Sequence, residues 1–120
     1  MASTKALTNL QNLTIGLGTT SVSSSLDLTN GYGATVDIKI TNGATGPTAA
    51  CQVQLEVSEN DSDFYDFGGP LLGSTVNNAV TSWGGIAIPM ATQYIRTSSG
   101  SNTAQSVTLR IDASETTAIS

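Results

Sequence analysis

The chain contains no histidine, a single cysteine and only four basic residues among 120 positions. Without histidine, Ser-His-Asp and Cys-His catalysis and imidazole metal sites are unavailable. Cys51 alone closes no intramolecular disulfide, so a stapled secreted scaffold is excluded. Four Lys and Arg against nine Asp and Glu give a net charge of −5. That balance offers no electrostatic footprint for nucleic acid or an anionic membrane. No apolar run approaches the roughly 18 residues of a membrane span. Met1-Ala2-Ser3-Thr4-Lys5 lacks the basic-then-apolar layout of a signal peptide. The expectation is a protein made in a cytosol that leaves it, if at all, by a route other than secretion.

Charge of either sign is scarce, at 11% of residues against roughly 25% in an ordinary soluble domain. In its place stand 33 Ser and Thr and 27 Leu, Ile, Val and Phe. The length suits one compact domain. Strict alternation is the dominant pattern. In Thr35-Val36-Asp37-Ile38-Lys39-Ile40-Thr41, the apolar Val36, Ile38 and Ile40 share one face and the polar residues the other, as in a half-buried antiparallel strand. Cys51 to Val57 repeats it with Cys51, Val53, Leu55 and Val57 inward, and Val107 to Asp112 repeats it again. Val22 to Leu28 is a weaker copy. Thr4 to Leu10 and Leu13 to Leu17 read as edge strands or an arm. Ile86, Ile88 and Met90 alternate, Tyr94 to Arg96 forms a short strand, and Phe64 to Leu72 holds another, cut by Gly68-Gly69-Pro70.

No stretch shows a sustained period of 3.6, so essentially no helix is expected. Asn30-Gly31, Asn42-Gly43, Gly46-Pro47, Gly84-Gly85 and Ser99-Gly100-Ser101-Asn102 carry turn chemistry. The fold class is all-β: an antiparallel β-sandwich, jelly-roll or immunoglobulin-like, of about eight short strands. Residues 1–18 form an N-terminal arm or edge strands and residues 19–120 the sandwich domain.

Candidate chemistry is sparse. Glu59, Asp61, Asp63 and Asp66 concentrate acidity, but not at EF-hand spacing, and read as a solvated loop, a weak calcium site or an electrostatic contact with a basic partner. Glycoside hydrolysis wants two carboxylates flanking a sugar, yet Asp37, Glu56, Glu59, Asp66 and Asp112 fall on outward strand faces or open loops. The chain is therefore read as a non-enzyme, with no catalytic residue, no metal site and no cofactor. Trp83, beside Gly84 and Gly85, either plugs one end of the core, anchors an interface, or stacks on a sugar together with Tyr65. Asn12-Leu13-Thr14 and Asn60-Asp61-Ser62 match the glycosylation acceptor only by chance in so hydroxyl-rich a chain. Neutral Thr, Ser, Gln and Asn on the outward faces suit packing against other protein surfaces.

The run Gly31-Tyr32-Gly33-Ala34-Thr35-Val36-Asp37-Ile38-Lys39-Ile40-Thr41-Asn42-Gly43 and Val53-Gln54-Leu55-Glu56-Val57-Ser58 resembles small β-sandwich virion proteins of tailed bacteriophages. Tyr65-Asp66-Phe67-Gly68-Gly69-Pro70, Ile86-Ala87-Ile88-Pro89, Gln93-Tyr94-Ile95-Arg96 and Ala104 to Ile111 extend the resemblance over roughly residues 20–112. It implies a capsid decoration (cement) protein assembled in the host cytoplasm. Such a protein binds the outer head surface, bridges subunits of the major capsid protein, and packs against copies of itself as a dimer or trimer. The alternative it implies is a tail-associated or receptor- and glycan-binding module. In the cement reading the apolar-dotted N-terminal segment lies along the shell, with Leu7, Leu10, Leu13, Tyr65 and Trp83 as interface residues. No cofactor is required, because multivalent buried area stabilises a shell.

Overall fold

The computed structural model describes residues 3–16 and 18–119. Leu17, counted above with the N-terminal segment, lies outside them. The described residues form ten strands: β1 (Ser3–Ile15), β2 (Thr20–Val22), β3 (Leu26–Asp27), β4 (Ala34–Asn42), β5 (Gln52–Ser58), β6 (Tyr65–Asp66), β7 (Leu71–Leu72), β8 (Val80–Ile88), β9 (Tyr94–Gly100) and β10 (Val107–Ile119). Every pairing is antiparallel. Sheet A runs β1-β10-β4-β8, and sheet B runs β2-β9-β5-β6. Because β3 shares the β9 edge with β2, and β7 shares the β5 edge with β6, ten strands fill eight positions.

The order has a simple origin. β1 with β10, β2 and β3 with β9, β4 with β8, and β5 with β6 and β7 make one long antiparallel ribbon. Folding that ribbon over itself adds the β10–β4 and β5–β9 pairings. This is the jelly roll, in which two Greek keys close a double sheet. The sandwich expected from alternation is present, and the strand order selects the jelly roll over the immunoglobulin arrangement.

The alternation read in residues 35–41 is realised in β4. Val36, Ile38 and Ile40 are buried between the sheets, and Thr35, Asp37 and Lys39 face out. Leu109 and Ile111 join them from the neighbouring β10, and Val53 and Ile95 from the central strands of the facing sheet. Full burial of each such side chain contributes about 1.5–3 kcal/mol.

Three expectations need correction. Residues 22–28 are not one strand: β2 and β3 are separated at Ser23. The Ser23 N–H donates to the Thr97 carbonyl (2.8 Å), while its own hydroxyl accepts from the Thr97 N–H (2.9 Å). A side chain thus takes the place of a backbone carbonyl, and the ladder breaks. Gly84-Gly85 is not a turn but a bulge inside β8, where the register slips opposite Asp37 and Gly85 takes φ 67°. β8 ends at Ile88, leaving Met90 in the following loop, 63% exposed.

Polar groups also cross the core. Gln11, 4% exposed on β1, reaches sheet B. Its Oε1 accepts from Thr97 Oγ1 (3.0 Å) and Ser99 Oγ (2.9 Å), and its Nε2 donates to Ser21 Oγ (2.9 Å). Asn42 ties the β7–β8 loop by donating to the carbonyls of Ser74 and Val76.

Cys51 is buried in the core cluster. Burial pushes its thiol pKa up, and the backbone hydrogen bond at Gly100 only partly offsets this. The native protein is expected to be silent to Ellman's reagent and to release one thiol per chain only on unfolding. Rapid labelling of the folded protein would contradict this packing.

Candidate functional site

The outer face of sheet A brings four charged side chains together. Lys39 and Asp37 stand on β4, Arg110 and Asp112 beside them on β10, and Asn12 and Asn9 beyond on β1. The register therefore draws two rows across the strands: Asn12-Arg110-Lys39-Ser82, and Asn9-Asp112-Asp37 ending at the Gly84-Gly85 bulge. A shallow cavity of about 280 Å³ opens over these rows, lined by Asp37, Lys39, Ser82, Gly84, Arg110 and Asp112, with Trp83 and Ile38 at its border. It exists because two glycines leave β8 bare at this point.

Hydrogen bonds hold parts of the rows. Asp112 accepts from Asn9 Nδ2 (2.8 Å) at one oxygen and from Arg110 Nε (2.9 Å) at the other. Partial burial raises its pKa, but those two hydrogen bonds and the guanidinium charge outweigh it and hold the carboxyl below its usual value. Asp37 Oδ1 accepts from the Gly85 N–H (2.8 Å), which pins the bulge.

A second cavity of about 230 Å³ lies at the open edge between the sheets, lined by Leu55, Phe67, Gly68, Gly69, Leu71, Trp83 and Ile86. Trp83 borders both. It sits on a strand, half-buried against the core, rather than on a loop.

The residues expected at an interface are not brought to one place. Leu7, Leu10 and Leu13 lie on β1, Trp83 on the opposite edge of the same sheet, and Tyr65 on the edge of sheet B. Leu7 and Tyr65 are 71% and 69% exposed, whereas Leu10 and Leu13 pack against the core. The segment expected as an arm or edge strand is the edge strand of sheet A, paired with β10 along its length.

The acidic loop closes on itself. Asn60 Oδ1 accepts from the Ser62 and Asp63 N–H groups (3.0 and 2.8 Å), and Asn60 Nδ2 donates to the Asp63 carboxylate (2.9 Å). Among the described residues no group of three or more His, Cys, Asp or Glu is disposed to hold a metal ion. On the outer face of sheet B, Arg96 pairs with Glu56 (2.7 Å) and lies 3.8 Å over the Phe64 ring. The paired rows of sheet A and the inter-sheet opening are what sequence reasoning missed, since both depend on register.

Solved structures share this fold. The PBSX exported protein XepA is similar with a TM-score of 0.64 at 9% identity, over 96% of this chain and 38% of that one. A structure of infectious bursal disease virus, Gx strain, gives 0.57 at 8% identity, over 95% of this chain and 32% of that one. A family 16 carbohydrate-binding module gives 0.50 at 8% identity, over 83% and 71%. The chain thus spans less than two fifths of the length of the first two. No protein-family description and no curated protein matches the sequence. These likenesses establish the fold, a β-sandwich shared with the PBSX exported protein, a virus structure and a carbohydrate-binding module.

Proposed function

We propose that the chain is a non-enzymatic structural module of a virus particle, docked on the outer surface of a phage head where it bridges subunits of the major capsid protein. The observation that carries this reading is the character of the surface. Both cavities are shallow and smaller than the roughly 300–1,000 Å³ of ordinary ligand sites. Meanwhile Leu7, Tyr65, Leu72, Val76, Val80 and Met90 each stay more than half exposed on a charge-poor surface. Such a surface gives up little hydration energy on contact with another protein and gains apolar burial. A fold shared with the PBSX exported protein and a virus structure supports the reading at the level of architecture.

Copy number on purified particles tests it. A simple stoichiometric fraction of the major coat protein, read by quantitative mass spectrometry, is the expected result. A handful of copies would move the protein to the tail, and none would remove the virion reading.

Glycan binding is the second reading, favoured by Trp83 at the border of two cavities and by the carbohydrate-binding neighbour. It requires saturable quenching of the Trp83 fluorescence by an oligosaccharide, Trp83 being the chain's one tryptophan.

A further inference from the structure

Half of the chain's four cations, Lys39 and Arg110, stand next to each other on the outer face of sheet A. The register sets like charge against like in both rows: Arg110 is directly opposite Lys39, and Asp112 directly opposite Asp37. Like charges in directly opposed positions weaken a sheet. In a chain this poor in charge, four charged side chains arranged so break a local rule at some cost to the isolated domain, and such breaches mark functional surfaces. Internal pairing relieves only half of it, through Arg110 and Asp112. Among the described residues the ion pairs are Arg96–Glu56 and Arg110–Asp112, so neither Lys39 nor Asp37 meets an opposite charge within 4.0 Å.

The two rows have a geometric property that points to the occupant. Successive outward residues on a strand are about 7 Å apart, so a cationic row lies parallel to an anionic row at that spacing. Rotation by a half-turn about an axis lying in the face, across the strands and midway between the rows, exchanges them. We propose that two copies of this chain pack through the outer faces of sheet A about that axis. Lys39 of each copy then faces Asp37 of the other, and Arg110 faces Asp112. The operation keeps each strand opposite its own counterpart, so the contact is isologous and closes at two copies.

The rest of the face fits the same operation. The rows on either side are uncharged, and the rotation brings Leu7 over Thr14 and Val80 over Ala87, each position outward on its strand. Leu7 is 71% and Val80 55% exposed in the single chain. The cavity beside Asp37, left by Gly84, is where the Lys39 side chain of the second copy enters. Two chains of net charge −5 repel at long range, so the paired rows supply register and specificity while the flanking side chains supply burial. The inference stands apart from the virion reading, since self-association needs no particle.

Sedimentation equilibrium of the full chain tests it with two charge reversals, Lys39→Glu and Asp37→Lys. The wild-type protein is expected to dimerise below about 1 mM chain. Each variant alone sets two like-charged contacts across the axis and weakens the dimer by at least about tenfold. In an equal mixture, the carboxylate introduced at position 39 of one variant meets the ammonium introduced at position 37 of the other. The second contact of that mixed dimer is the wild-type one, so the affinity returns to within about threefold of wild type. Asp112 is left intact because it anchors Asn9 and Arg110, and circular dichroism confirms that both variants fold. A wild-type protein that stays monomeric at that concentration overturns the proposal. So does a dimer indifferent to either reversal, or a mixture no tighter than its components. A monomer whose two variants both lose attachment to particles would assign the face to the coat protein instead, and would also overturn it.

Discussion

Replacing Gly100 by alanine is expected to destabilise the protein by about 4 kcal/mol and to lower its melting temperature by roughly 10–20 °C. Gly100 ends β9 in the middle of sheet B, with Thr20 of β2 on one side and Gln52 of β5 on the other. Its φ of 145° is one that residues with a side chain rarely adopt. An added Cβ would also run into the Thr19 carbonyl oxygen and come within 3.0 Å of Thr20 Cα, both backbone atoms with little freedom to move. Two other glycines separate these causes. Gly68 has φ 74° with nothing within 4 Å of a new Cβ, so Gly68→Ala bears only the conformational term, about 1–2 kcal/mol. Gly43 has neither a positive φ nor a neighbour within 4 Å, and Gly43→Ala is expected to be neutral or slightly stabilising through the unfolded chain. Urea unfolding of the three variants checks the order. Equal losses at Gly100 and Gly68 would show that β2 gives way to the added methyl group.

The same positions explain what alternation does and does not reveal. β4, β5 and the first half of β10 sit inside their sheets with the core on one face, so their period of two runs unbroken in the sequence. The edge strands of sheet A carry bulges, and each bulge exchanges the inward and outward sets. In β1 the register slips between Asn9 and Gln11, so Leu7 and Asn9 face out whereas Gln11, Leu13 and Ile15 face in. That change of phase makes one strand of 13 residues read as two short pieces. In β8 the Gly84-Gly85 bulge does the same between Trp83 and Ile86, and glycines that read as a turn lie within a strand. β10 continues past Asp112 to Ile119 because β1 pairs with it there, a reason that lies in another part of the chain. Bulges concentrate at sheet edges, where they also discourage further strand pairing.

The charged rows were hidden for a related reason. Asp37, Lys39, Arg110 and Asp112 each read as an ordinary outward residue of a half-buried strand, and that reading is correct for every one of them. Their meaning comes from a pairing between strands distant in the sequence, which aligns Lys39 with Arg110 and Asp37 with Asp112. A slip of two residues in that register would have set opposite charges together. Local patterning gives the face of each strand but leaves its register to the packed fold.

Gln11→Leu is expected to cost about 2–5 kcal/mol, although leucine fills nearly the same space and glutamine is the less apolar side chain. The loss comes from what is left behind. Thr97 and Ser99 are 0% and 1% exposed, and both hydroxyls give their hydrogen bonds to Gln11 Oε1. With leucine in place, two buried hydroxyls lose that partner, at about 1–3 kcal/mol each. Removing those hydroxyls as well should reverse the effect. The triple variant Gln11→Leu, Thr97→Val, Ser99→Ala is expected to recover most of the lost stability, because an apolar contact replaces a satisfied polar one of similar shape. Thermal and urea unfolding of the single and triple variants decide it. A triple variant no more stable than the single one would mean that the clamp contributes through packing alone. The recovered protein should still differ from wild type in one respect. Among the described residues the Gln11 side chain has hydrogen-bond partners only on sheet B, so it selects the single bulge register that points position 11 inward and Asn12 outward. Without that preference β1 is free to sample neighbouring registers, and its amides are expected to exchange faster with solvent while those of β4 and β5 do not.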